Sequence, residues 1–105
     1  MLVRLTGILE SISGNEAVLA VDEARAFEVL LPTYLADRLG GRHATPSALG
    51  TRLTLHVMEY LEALNQGSAF LPRIIGFATP AEREFFELFT SVKGLGNKRA
   101  LRALA

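Results

Sequence analysis

The sequence predicts a mainly β domain that ends in a pair of helices, and three observations carry that reading. Through residues 1–78, apolar stretches separated by turn residues recur at the roughly 8–12-residue spacing of small barrels and sandwiches. At Thr79 the hydrophobic period changes from 2 to 3.6. A chain of 105 residues, half of them hydrophobic at 50% and 21% charged, can bury one real core, which excludes a multidomain enzyme and a disordered chain.

The elements follow in order. Leu2 to Ile12 reads as a strand with Val3, Leu5 and Leu9 on one face, and Gly7 in its interior marks a bulge or sharp coil. Ser13-Gly14-Asn15 turns the chain into the short strand Ala17 to Val21. Asp22-Glu23-Ala24 turns it again into Arg25 to Leu31, with Phe27, Val29 and Leu31 on one side. A short helix opens at Pro32-Thr33, with Thr33 as N-cap and Gly40 as a left-handed stop. Thr51 to Tyr60 places Leu53, Leu55 and Val57 against Thr54, His56 and Met58 on the opposite face. Asn65-Gln66-Gly67-Ser68 then turns into Phe70 to Phe77, where Pro72 requires an edge or a bulge. Five strands with a helix between the third and fourth is the element order of an OB-type barrel.

Beyond it, Thr79-Pro80-Ala81-Glu82 has the form of a capping box with proline at the first helical position. Phe85, Phe86, Leu88, Phe89 and Val92 form the expected buried stripe, leaving Glu82, Arg83, Glu84 and Glu87 to water. After Gly94-Leu95-Gly96, Asn97 caps a second helix with Ala100, Leu101 and Leu104 on its buried side. The expected boundaries are therefore a barrel domain over 1–78 and a helical hairpin over 79–105.

Composition closes off several chemistries. Without cysteine there is no disulfide, thiolate metal site or cysteine nucleophile. No apolar run approaches the roughly 20 residues of a membrane span, and the N-terminus lacks secretory features, so a soluble cytoplasmic protein is expected. His43 and His56 have no partner at ligand or triad spacing, and no Walker loop occurs; neither a catalytic site, a metal site nor a cofactor is expected. Eleven basic residues balance eleven acidic ones, but unevenly. Residues 88–105 hold Lys93, Lys98, Arg99 and Arg102 and no acid, so an acidic body carries a basic end.

That end contains Gly94-Leu95-Gly96-Asn97-Lys98-Arg99. Lys98 and Arg99 stand in the first turn of the predicted second helix, where the helix dipole makes a cation unfavourable by a few tenths to about 1 kcal/mol. A docked anion reverses the sign. The glycines allow positive φ and close approach, so turn amides can converge on a phosphate oxygen. With an apolar residue between the glycines and Val92 before them, the pattern is that of a helix-hairpin-helix. A tight helix–helix turn that merely needs glycine is the alternative reading of the same residues.

The sequence resembles the RuvA family, the DNA-binding subunits of bacterial Holliday-junction branch-migration complexes. The resemblance is carried by Val3-Arg4-Leu5-Thr6-Gly7, by Phe27 to Pro32, and most strongly by Gly76-Phe77-Ala78-Thr79, Glu82-Arg83-Glu84, Phe86, Leu88-Phe89 and Ser91 to Lys98, with Ala100-Leu101 and Leu104. It implies a barrel followed by DNA-binding helices, a homo-tetramer on a four-way junction, and a hexameric ATPase motor as partner. This sequence departs from the family's pattern at three places. It stops at Ala105, short of a second hairpin motif and a motor-contacting domain, so motor coupling is not expected of these residues. Asn97 replaces a usual proline. The hairpin Glu62 to Ser68 lacks the paired acids of the family's junction pin, so strand separation at the crossover is not expected.

The expectation is thus a five-stranded OB-type barrel plus one helix-hairpin-helix that binds branched DNA, without reading sequence, as part of a recombination and repair complex. Gly94, Leu95, Gly96 and Asn97 would offer backbone amides, Lys98 and Arg99 flanking charge, and Lys93 and Arg102 outer contacts. The rival is a RuvA-like domain that serves as an assembly or protein-interaction module without DNA.

Overall fold

The computed structural model describes residues 1–40, 48–64 and 69–93. Five strands, β1 (Arg4–Ser13), β2 (Glu16–Ala20), β3 (Ala26–Leu30), β4 (Arg52–Leu64) and β5 (Ala69–Phe77), form a closed barrel in the order β1-β2-β3-β5-β4. Helix α1 (Thr33–Gly40) lies between β3 and β4, and α2 (Pro80–Lys93) follows β5. The pairs are antiparallel except β3 with β5, which run parallel and meet at Leu30 and Ile75. This is the expected OB-type architecture. The predicted second helix, including Ala100, Leu101 and Leu104, lies outside the described residues, as do His43 and Asn65 to Ser68.

Alternation along the strands supplies two cores. Leu5, Leu9, Leu19, Val29, Leu55 and Val57 fill the barrel, and Leu35 and Ala36 of α1 join them. The opposite faces of β4 and β5 supply Met58, Tyr60, Ile75 and Phe77 to a second cluster with Leu30, Phe86 and Phe89. Met58 therefore points away from the barrel lumen, as its strand position predicts, but packs under α2. Phe86 is fully buried, with its ring 5.1 Å from that of Phe77, which is worth roughly 1.5–3 kcal/mol of burial.

Several local expectations are corrected. Val3 precedes β1 and is 52% exposed, so it is not buried with Leu5 and Leu9. The β1 bulge falls between Leu9 and Ser11, not at Gly7. Gly7 is required for a different reason: a Cβ there would sit 2.3 Å from the Ala20 carbonyl oxygen. Gly40 does not adopt a left-handed stop; it completes α1, and a Cβ on it would lie 2.2 Å from Ile12 Cγ2. Thr33 is inside the helix, because Pro32 O already accepts the Ala36 N–H at 3.0 Å. Its hydroxyl instead accepts from Asn15 Nδ2, which also donates to Leu31 O at 2.8 Å and ties the β1–β2 turn to the start of α1. Gly14 in that turn has φ +59°, the conformation a two-residue hairpin needs.

On α2 the stripe is narrower than its spacing predicts. Phe86 is buried in the cluster with Leu30, Ile75 and Phe77, but Phe85 is 54% and Leu88 62% exposed. Conversely Glu82 and Arg83 are half-buried and do not simply face water. Thr79 Oγ1 accepts the Glu82 N–H at 3.2 Å, one half of the capping box. The reciprocal half is shifted: Glu82 Oε2 accepts the Ala78 N–H at 3.3 Å and the Tyr34 hydroxyl of α1.

The two glycines separate crowding from backbone strain. Gly7→Ala should lower stability by about 2–3 kcal/mol, since a backbone oxygen cannot move aside. Gly14→Ala, with nothing within 4 Å of its new Cβ, should lose about 1 kcal/mol through the left-handed φ. Urea midpoints of the two variants check the order.

Tyr34 gives a test of the latch. Burial first, then the hydrogen bond and charge of Glu82, push its hydroxyl pKa above the ordinary value. Folded and unfolded chains both hold the proton below about pH 10. Above that the unfolded chain releases it first, so stability falls as pH rises. Urea midpoints should drop progressively as pH rises above about 10, and the drop should be smaller in Tyr34→Phe.

Candidate nucleic-acid interface

The segment predicted to hold phosphate, Gly94, Leu95, Gly96, Asn97, Lys98 and Arg99, lies outside the described residues; what the structure describes is its mount. Helix α2 reaches Lys93 from a fixed start. Thr79 caps it, the Glu82 carboxylate bonds β5's exit and Tyr34 together, and Phe86 anchors its first turns on β4 and β5. Tyr34 is itself held by Arg38 of the same helix, whose guanidinium carbon lies 5.5 Å from the ring centre. Beside this latch, Tyr34, Phe77, Ala81, Glu82 and Phe85 line an open apolar groove of about 340 Å³. Phe85 stacks on Phe89 with ring centres 5.9 Å apart.

The β4–β5 hairpin projects past the barrel. Leu61 pairs with Pro72 and Ala63 with Phe70, so these four share one face of the ribbon, and Leu61 is 65% and Phe70 59% exposed. Pro72 lies in this projecting stretch, the edge position its missing donor requires. Its acids are already engaged. Glu59 accepts the Leu2 N–H at 3.4 Å, and Glu62 lies 3.5 Å from Arg73. Arg73 also reaches Glu16 on β2 at 3.1 Å and Glu28 on β3 at 3.2 Å, so one guanidinium binds four strands together. Burial pulls its pKa down, but the Glu16 hydrogen bond and the charges of Glu62, Glu16 and Glu28 outweigh burial and hold it above the ordinary value. At the β2–β3 turn, the Arg25 guanidinium and then the Ala24 N–H hold the Asp22 carboxyl below the usual range.

His56 is half-buried on β4 opposite Arg4. No group of three or more metal-binding side chains occurs among the described residues, and no helix among them is long and apolar enough to cross a membrane. The sequence reading missed one arrangement that the strands assemble. Arg4, Thr6 and Ile8 of β1 stand opposite His56, Thr54 and Arg52 of β4 on the outer face. Alternation signalled which residues face outward, but not which strands are neighbours.

Comparison with known proteins bears on what this mount carries. No family model matches the chain. It is 36% identical over 104 residues to the Holliday junction branch migration complex subunit RuvA of Rhodopirellula baltica, which covers 99% of this chain and 47% of that protein. It is 35% identical over 105 residues to the subunit of the same name from Sphingopyxis alaskensis, covering 100% of this chain and 46% of that protein. The corresponding subunit of Opitutus terrae is 31% identical over 106 residues. The chain thus spans about half the length of the curated relatives it matches. A closed five-stranded barrel with the expected element order, and 30–36% identity along the whole chain to four such subunits, identify it as an N-terminal domain of the RuvA family.

Proposed function

We propose that this domain binds branched DNA, the four-way junction, through phosphate contacts and without reading base sequence, as the RuvA-like part of a recombination and repair branch-migration complex. The observation that carries the reading is similarity over the full chain to four subunits named for Holliday junction branch migration. The charge layout supports it: the four cations of residues 88–105 meet no acid in that stretch, whereas residues 1–87 hold seven cations against eleven acids. Phosphate contacts position a duplex without carrying sequence information, which suits a partner defined by its branching. Gly94, Leu95, Gly96 and Asn97 would present amides, with Lys98 and Arg99 supplying charge at the helix start. One such clamp is weak, so a homo-tetramer that raises effective concentration is part of the proposal. A hexameric motor would engage residues other than these.

A second reading, a protein-interaction module without DNA, draws on the exposed apolar side chains Leu61, Phe70, Phe85 and Leu88. Salt separates the two. Each phosphate neutralised contributes about −0.9 to the slope of log K against log salt on duplex DNA, and apolar docking contributes little.

Lys98→Ala with Arg99→Ala should weaken junction binding about tenfold or more, a loss of roughly 1.4 kcal/mol or greater. Its stability should be unchanged or raised by up to about 1 kcal/mol, because two cations leave a positive helix end. Gel shifts on four-way junction, duplex and single strand, with urea midpoints and light scattering, measure both signs. Full affinity in the folded double variant would move the assignment to the interaction module.

A further inference from the structure

The outer face of β1 and β4 is an ordered array whose chemistry the hairpin segment does not explain. In register, Arg4 lies opposite His56, Thr6 opposite Thr54, and Ile8 opposite Arg52. Arg4, Thr6, Thr54 and Arg52 are all exposed. The two threonine hydroxyls are 2.9 Å apart and form a pair at the centre of the array. None of its six positions is a carboxylate, and the next residues across the sheet are Ala20 on β2 and Phe77 on β5.

The arginines elsewhere make the contrast. Among the described residues, Arg25, Arg73 and Arg83 are ion-paired with carboxylates, and Arg38 lies over the Tyr34 ring. Arg4 and Arg52 are the two with neither an ion pair nor a ring contact among those residues, and both stand on this face. On an acidic body such a pair of uncompensated cations has a local positive field.

We propose that this face is a second DNA-backbone surface, in which Arg4 and Arg52 contact phosphates flanking one held by the Thr6 and Thr54 hydroxyls. The proposal rests on the DNA-binding reading and extends it from the hairpin to the barrel. Arginine and threonine are common donors to phosphate oxygens. Four residues of extended strand separate the two arginine rows by about 14 Å. A DNA strand carries one charge per about 3.4 Å of helix axis, so one strand lying along the array presents phosphates at both ends and between them. The array adjoins the start of α2, since Phe77 beside His56 closes β5 just before Thr79. The far end of α2 is about 20 Å away, so the array and the segment after Lys93 address different phosphates.

The test uses the whole chain and a salt series on a four-way junction and on duplex. Arg4→Gln with Arg52→Gln keeps most of the side-chain stem and removes the charge. It should flatten the slope of log K against log salt by about 1.8 per domain and lower affinity tenfold or more near 0.1 M salt. Arg4→Lys with Arg52→Lys should retain most of the slope. Thr6→Val with Thr54→Val should lower affinity a few-fold at an unchanged slope, because no charge is lost. In the unmodified chain, titration with a short duplex should shift the backbone amide signals of residues 4–8 and 52–56, a readout independent of any variant's folding. If the chain binds DNA and responds to Lys98→Ala and Arg99→Ala, but slope and amide signals ignore this face, the second surface is overturned and the hairpin reading stands. If the unmodified chain binds no DNA, both fall.

Discussion

The β4–β5 ribbon is buried on both of its faces where it crosses the barrel, and the rest of the architecture depends on that double burial. One face gives Leu55 and Val57 to the barrel; the other gives Met58, Ile75 and Phe77 to the cluster under α2. Gly76 shows how tight the first contact is, since a Cβ there would lie 2.8 Å from Val29 Cγ1. Because alternate residues of the same two strands serve separate cores, a one-residue register slip would empty both at once. The barrel and the helix that leaves it are thus specified together, and α2 does not hang from the barrel as a tethered appendage.

That coupling sets the direction in which the chain leaves the barrel. Glu82 gathers the Ala78 N–H and the Tyr34 hydroxyl onto a single carboxylate oxygen, linking β5's exit, α1 and the first turn of α2. A simple capping box would have tied Glu82 to the Thr79 amide alone, with no link to α1. The shift by one residue turns a local helix cap into a tertiary contact that sets the direction of the whole 14-residue helix.

Where the sequence was legible, the signal was local. The strand alternation of Leu53, Leu55 and Val57, the Gly14 turn and the Thr79-Pro80 helix start all appear in the structure because each is decided within a few residues. Gly40 was misread for the opposite reason: glycine after a short helix suggests a stop, yet its cause is Ile12, 28 positions earlier and packed against it. Phe85 and Leu88 likewise carry helical spacing, but burial depends on what lies opposite, and of the three Phe86 alone is buried in the cluster with Leu30, Ile75 and Phe77. The candidate site divides the same way. Glycine spacing and misplaced cations point to residues 94–99 from sequence alone, whereas the pairing of Thr6 with Thr54 joins strands 48 residues apart and becomes visible once the barrel closes.

The placement of charge also follows from the barrel. Glu16, Glu28 and Glu62 would crowd one side of the sheet, and Arg73, with its side chain only 12% exposed, compensates them from a nearly buried position. Its carboxylate partners are 20–53% exposed, so solvent screens the pairs and much of their worth lies in fixing geometry. Consuming the arginine there leaves that side acidic and unsuited to a polyanion. On the β1–β4 face Arg4 and Arg52 form no ion pair among the described residues, and the hydroxyls between them hydrogen-bond each other. Charge is therefore distributed unevenly around the barrel, with acids in excess beside β2 and β3 and two arginines outside any ion pair among the described residues on the β1–β4 face. The sidedness arises from which strands the barrel makes neighbours, since the chain as a whole carries no net charge.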